Sequence, residues 1–116
     1  MELTVDQALQ QGVAAQKEGK LEEAERLYRA ILQSQSLHPD ANHNLGALAV
    51  LANKADAALP LFKAALDANP KIEQFWLSCI VALIKREKFD DAREALADAQ
   101  QAGVTAAKLQ IFEEKL

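Results

Sequence analysis

Very little in this chain of 116 residues cross-links it or turns it sharply. Cys79 is the single cysteine, so no internal disulfide can form and a cysteine-based metal site lacks its ligands. With four glycines and three prolines, hairpin-type turns are few. The aromatics are Tyr28, Phe62, Phe75, Trp76, Phe89 and Phe112, which gives a strand little to pack with. No uninterrupted apolar run approaches the ~20 residues of a membrane span. The opening Met1-Glu2-Leu3-Thr4 lacks the basic and apolar regions of a signal peptide. A reducing, cytoplasmic setting is the resulting expectation. The formal net charge of −4 argues against a nucleic-acid or anionic-membrane surface, since both require clustered Lys and Arg.

What the chain does have is alanine. Half of its residues are apolar and 23 of them are Ala, a composition suited to closely packed helices in one domain covering 1–116. Shifted by 34 residues, the chain falls on itself without a gap. Gly12 lands on Gly46. Ala24 lands on Ala58 and then Ala92. Tyr28 lands on Phe62 and then Leu96. Leu21 lands on Ala55 and then Phe89, and Leu32 lands on Leu66. The repeats run about 5–38, 39–72 and 73–106.

Each repeat reads as two helices: about 4–18 and 21–33, 39–52 and 54–68, then 71–86 and 89–102. Thr4 with Gln7 forms a capping box, and Pro39 stands where a missing N–H costs nothing. Gly19-Lys20 breaks the first helix, and Gly103 closes the sixth as a left-handed cap. A seventh helix is expected from Thr105 to about 115, with Val104 and Leu109 spaced as a hydrophobic staple. Gly12, Gly46 and the three alanines allow the two helices of a hairpin to cross closely. Tyr28, Phe62 and Leu96 are expected to fill the wider space towards the neighbouring unit. One hairpin cannot bury its apolar face alone, so the units must stack.

The spacing Leu45-Gly46, Ala58, Phe62, Pro70 resembles the tetratricopeptide repeat, over about 90% of the chain. The resemblance implies an all-α, right-handed α-α superhelix of three helical hairpins plus a C-terminal capping helix, and a role in protein binding rather than catalysis. The order from Ala24 to Leu32 and from His38 to Gly46 is similar to a bacterial subgroup. There such blocks precede sulfotransferase, glycosyltransferase or methyltransferase domains, which implies the alternative of a docking or substrate-presenting module. Departures from the pattern are Gln11 in place of Leu, Ile80 in place of Gly, which predicts a slightly wider third hairpin, and Pro60, which predicts a modest kink in the fourth helix.

In this architecture the first helix of each hairpin lines the concave side. Helical spacing then nominates Leu9, Val13, Gln16 and Lys17 from the first unit. It nominates His43, Ala47, Val50 and Leu51 from the second, and Gln74, Leu77, Val81, Ile84 and Lys85 from the third. This largely apolar set is either a groove for a partner's helix, peptide or adjoining domain, or in part core between neighbouring helices. The carboxylate-gripping cluster of some relatives would fall on Leu9, Val13, Asn44, Gln74 and Ser78, of which only Asn44 has the right chemistry. The seventh helix either caps repeat three or begins a fourth unit, and uncovered repeat ends would allow self-association.

Other constellations carry structural readings. His38-Pro39-Asp40 also resembles the J-domain tripeptide, but the stretch Ile31 to Leu37 lacks the basic charge of that family and the repeat explains the tripeptide as a turn. His38 and His43 are five apart, not the three or four of a helical metal pair, and read as turn or surface histidines. Cys79 lies among Trp76, Leu77, Ile80 and Val81 as a small apolar residue. Glu22-Glu23 and Asp90-Asp91 suit helix starts. No catalytic residue, cofactor or metal site is expected.

Overall fold

The computed structural model describes residues 3–116, and among the described residues regular structure is entirely helical. The elements are α1 (Val5–Lys17), α2 (Leu21–Ser34), α3 (Pro39–Leu51), α4 (Ala55–Ala68), α5 (Glu73–Lys85), α6 (Phe89–Ala102) and α7 (Ala106–Glu113). Helices 1 and 2, 3 and 4, and 5 and 6 pair as hairpins. Each hairpin packs on the next, and α7 lies on α5 and α6. The result is an all-α helical-repeat superhelix, 48 Å along its longest axis and 26 by 21 Å across.

Local chemistry accounts for the helix ends. Gln7 N–H donates to Thr4 Oγ1 at 3.1 Å and Thr4 N–H donates to Gln7 Oε1 at 2.9 Å, closing the capping box. Pro39 opens α3, and His38 Nδ1 accepts from Ala41 N–H at 3.1 Å. Inside each hairpin the turn needs one left-handed residue. Gly19 (φ 79°), Asn53 (φ 62°) and Glu87 (φ 57°) fill that place in turn. Each is followed by a lysine N–H that reaches back to the last turn of the preceding helix: Lys20 to Ala15, Lys54 to Ala49 and Lys88 to Leu83. Gly103 (φ 107°) ends α6. Between hairpins, buried Asn42 donates through Nδ2 to the carbonyls of Ser36 and His38 at 3.1 Å each. Trp76 Nε1 donates to the Pro70 carbonyl at 2.7 Å.

Packing follows side-chain size. A Cβ on Gly12 would lie 2.5 Å from Tyr28 Cε1, and one on Gly46 would lie 2.6 Å from Phe62 Cε1. Tyr28 and Phe62 therefore seat against the glycine of their own hairpin and also reach the next unit, Tyr28 clustering with Ala41, Leu45 and Leu48 and Phe62 with Ala82. At the equivalent place in the third hairpin, buried Ile80 and Leu96 share one apolar cluster. Two medium side chains replace an absent one and a large one. The α5 and α6 backbones are less closely apposed than those of the first two pairs, in keeping with the wider third hairpin expected from Ile80. Gln11 is exposed where Leu45 is buried, because no described hairpin precedes the first. Pro60 is exposed and α4 runs on through it to Ala68. Val104 and Leu109 are both buried in the cluster of the third hairpin, as a staple requires. Ala92, Ala58 and Ala24 are fully buried.

Candidate functional site

The first helices of the second and third hairpins, together with α7, enclose an open groove of about 450 Å³. It is lined by Ala47, Val50 and Leu51 of α3, Phe62 of α4, Gln74, Leu77, Ser78 and Val81 of α5, and Phe112 of α7. Its walls are almost wholly apolar, and Leu51 is 65% exposed. A large aliphatic side chain left in water at the mouth of an apolar trough is a feature of binding surfaces.

Of the residues nominated from sequence, Ala47, Val50, Leu51, Gln74, Leu77 and Val81 meet in this groove. The α1 residues do not. Leu9 packs half-buried on the core of the first hairpin, and Val13 is half-buried. Gln16 Oε1 accepts from the Tyr28 hydroxyl at 3.0 Å, and Lys17 is exposed in the last turn of α1. Ile84 packs against the third hairpin's core. Lys85 lines a separate, adjoining pocket. Val50 lines the groove but also packs on the cluster of Ala55, Ala58, Phe62 and Ala82, so it serves both wall and core.

His43 is not a surface histidine. Its ring stacks on Phe75 at 4.8 Å and lies tilted to Phe62 at 5.6 Å. Nδ1 meets Asn44 Oδ1 at 3.0 Å and Nε2 meets Ser78 Oγ at 2.8 Å. A carboxamide oxygen can only accept, so the ring carries its proton on Nδ1 and Nε2 accepts from Ser78. The side chain thus ties the second hairpin to the third. Burial lowers its pKa from 6.5, against the opposing pull of the Asn44 bond and of Asp40. Burial also raises the Tyr28 hydroxyl, while a bond to Asn44 opposes it. The Cys79 thiol is pushed up to about 11 by burial, which leaves it protonated and poorly nucleophilic at neutral pH.

Phe62, Ser78 and Phe112 were missed as lining residues. Phe112 had a legible signal, since it stands 34 residues after Ser78 and so occupies the same register on the next first-type helix. The groove's polar groups satisfy one another: Gln74 Nε2 donates to Ser78 Oγ at 3.2 Å. The positions of the carboxylate-gripping cluster hold no cation. Among the described residues, no three of His, Cys, Asp and Glu come together as metal ligands would. Lys108 Nζ meets Glu73 Oε2 at 2.7 Å and joins α7 to α5 across the rim.

Two family models described as "Tetratricopeptide repeat" match residues 9–71 and 49–110. No curated protein sequence matches the chain. Among solved structures, the chain is similar to the Sgt2 TPR domain from Aspergillus fumigatus, with a TM-score of 0.83 and 21% identity, covering 96% of this chain and 76% of that one. It is similar to MamA of AMB-1, with a TM-score of 0.77 and 28% identity over 87% of this chain, and it spans 55% of the MamA chain. It is also similar to the Yersinia enterocolitica type III secretion chaperone SycD in complex with a peptide of the translocator YopD. There the TM-score is 0.81 and the identity 16%, covering 99% of this chain and 88% of that one.

Proposed function

The chain belongs to the tetratricopeptide repeat family, and from that premise we propose that it is a protein-interaction module that takes an apolar peptide or helix of a partner into the groove between α3, α5 and α7. The observation that carries this reading is the lining itself. Leu51, Leu77, Val81 and Phe112 converge from separate helices on one open trough, and burying such surface is worth about 25 cal/mol per Å². Exposed Gln74, held by Ser78 through its Nε2, presents its amide oxygen as a polar contact that orients a bound segment. The role is capture, because the groove's polar groups are a paired amide and hydroxyl rather than an acid and a base. That SycD was solved with a translocator peptide supports the reading, since it shows a similar superhelix accepting a peptide.

A random peptide library displayed against the intact chain tests it, with Leu51→Asp plus Val81→Asp as counter-target. Leu51 is mostly exposed, so its replacement costs stability little. Enriched peptides should carry apolar residues at helical or alternate spacing and should bind the double variant at least about tenfold more weakly, a loss of ~1.4 kcal/mol or more. Equal binding to both proteins, with helicity unchanged, would place the binding surface elsewhere.

A further inference from the structure

A second pocket, of about 580 Å³, opens at the turn end of the second and third hairpins. It meets the apolar groove at Val50, which lines both. Its character is different. Lys54, Lys85 and Arg86 stand around it with a single carboxylate, Asp56, and Arg86 Nε already holds Asp56 Oδ1 at 2.8 Å. Among the described residues, neither Lys54 nor Lys85 is in an ion pair. The α5 surface repeats the gradient along one face. Gln74, Ser78, Val81 and Lys85 follow at helical spacing, from amide through apolar to cation. The chain as a whole carries a net charge of −4, so a locally cationic end to the trough is not a by-product of a basic surface.

We infer that the preferred occupant is a peptide whose apolar residues adjoin a short acidic stretch, the apolar part lying on Leu51, Leu77 and Val81 and the carboxylates reaching Lys54 and Lys85. This deepens the proposed function and rests on it. Exposed charge pairs add little affinity each but select between partners and raise the encounter rate.

The probe is a set of synthetic peptide pools sharing one randomised apolar hexamer and flanked by Asp-Asp-Glu, Ser-Asn-Gln or Lys-Lys-Arg, selected on the full chain at low and at physiological salt. The acidic-flanked pool should be retained about three- to tenfold better than the basic one, as two exposed charge pairs allow, with the difference shrinking as salt rises. Lys54→Glu with Lys85→Glu should invert the order. Lys85→Gln alone, a milder change at an exposed site, should narrow it. Retention of all three pools alike would leave the groove reading standing and overturn this one. Retention of none would overturn both. A concentration-dependent dimer in light scattering that Val81→Asp dissociates would seat a second copy in the groove and also overturn it.

Discussion

Gly19, Asn53 and Glu87 occupy one place in three successive turns, yet only the first is built for it. A left-handed backbone costs an ordinary L-residue about 1–2 kcal/mol, and glycine's greater freedom when unfolded returns part of any gain. Glu87→Gly should therefore stabilise the chain by about 0.5–1 kcal/mol, and Asn53→Gly by less because Asn tolerates this region. Urea midpoints of the two variants check the order. A larger effect is expected in the opposite direction at Gly46. Its replacement by Ile would drive a side chain into the Phe62 ring, where even a Cβ would sit 2.6 Å away. The expected loss is about 3 kcal/mol. Adding Phe62→Leu recreates the Ile80 and Leu96 pairing of the third hairpin and should recover at least ~1 kcal/mol of it, measured as a double-mutant cycle. His43 supplies a pH dependence. Because burial lowers its folded pKa below the ordinary 6.5, the unfolded chain takes up a proton first. Stability is then full above about pH 6.5 and falls as pH drops through the interval down to the folded value. His43→Gln should flatten that fall below about pH 6.5 in urea titrations.

At the scale of elements, α7 is short, yet it holds much of the structure's far end together. Leu109 is fully buried against Leu96, Ala99 and Val104, so Leu109→Ala should cost about 3 kcal/mol and lower the melting temperature in calorimetry. The helices themselves were legible in the sequence, because a 34-residue period with small residues at fixed places leaves few other ways to bury the apolar faces. The stops were less so. Asn53 and Glu87 carry no glycine signal, and only their alignment with Gly19 marks them as turn residues. The groove was half legible. Helical spacing selects the residues of α3 and α5 that line the groove but does not tell which side chains a neighbour consumes. Gln16 is taken by Tyr28 and His43 by Ser78 and Phe75, and both bonds span residues far apart in sequence. Phe112 packs on the third hairpin and also walls the groove, a double role that helical spacing alone does not reveal.

The whole molecule is a row of units, each touching chiefly the next. Its stability is close to a sum of units and interfaces, and its two ends differ. At the far end α7 covers the third hairpin and leaves Ile111 exposed, while the outer side of the first hairpin carries exposed Gln7, Gln10, Gln11 and Ala14 on α1. Amide exchange should accordingly rise towards α1 and be slowest in α3 to α6. The serial arrangement has a mechanical corollary. Pulled from residues 3 and 116, the rod bears the same tension at every joint, so its weakest seam parts first and the others hold. Optical-tweezer traces should show discrete steps instead of one rip, each freeing about 34 residues, or roughly 110–120 Å of slack. A ligand lodged between α3, α5 and α7 would clamp two of those joints at once and merge their steps into one.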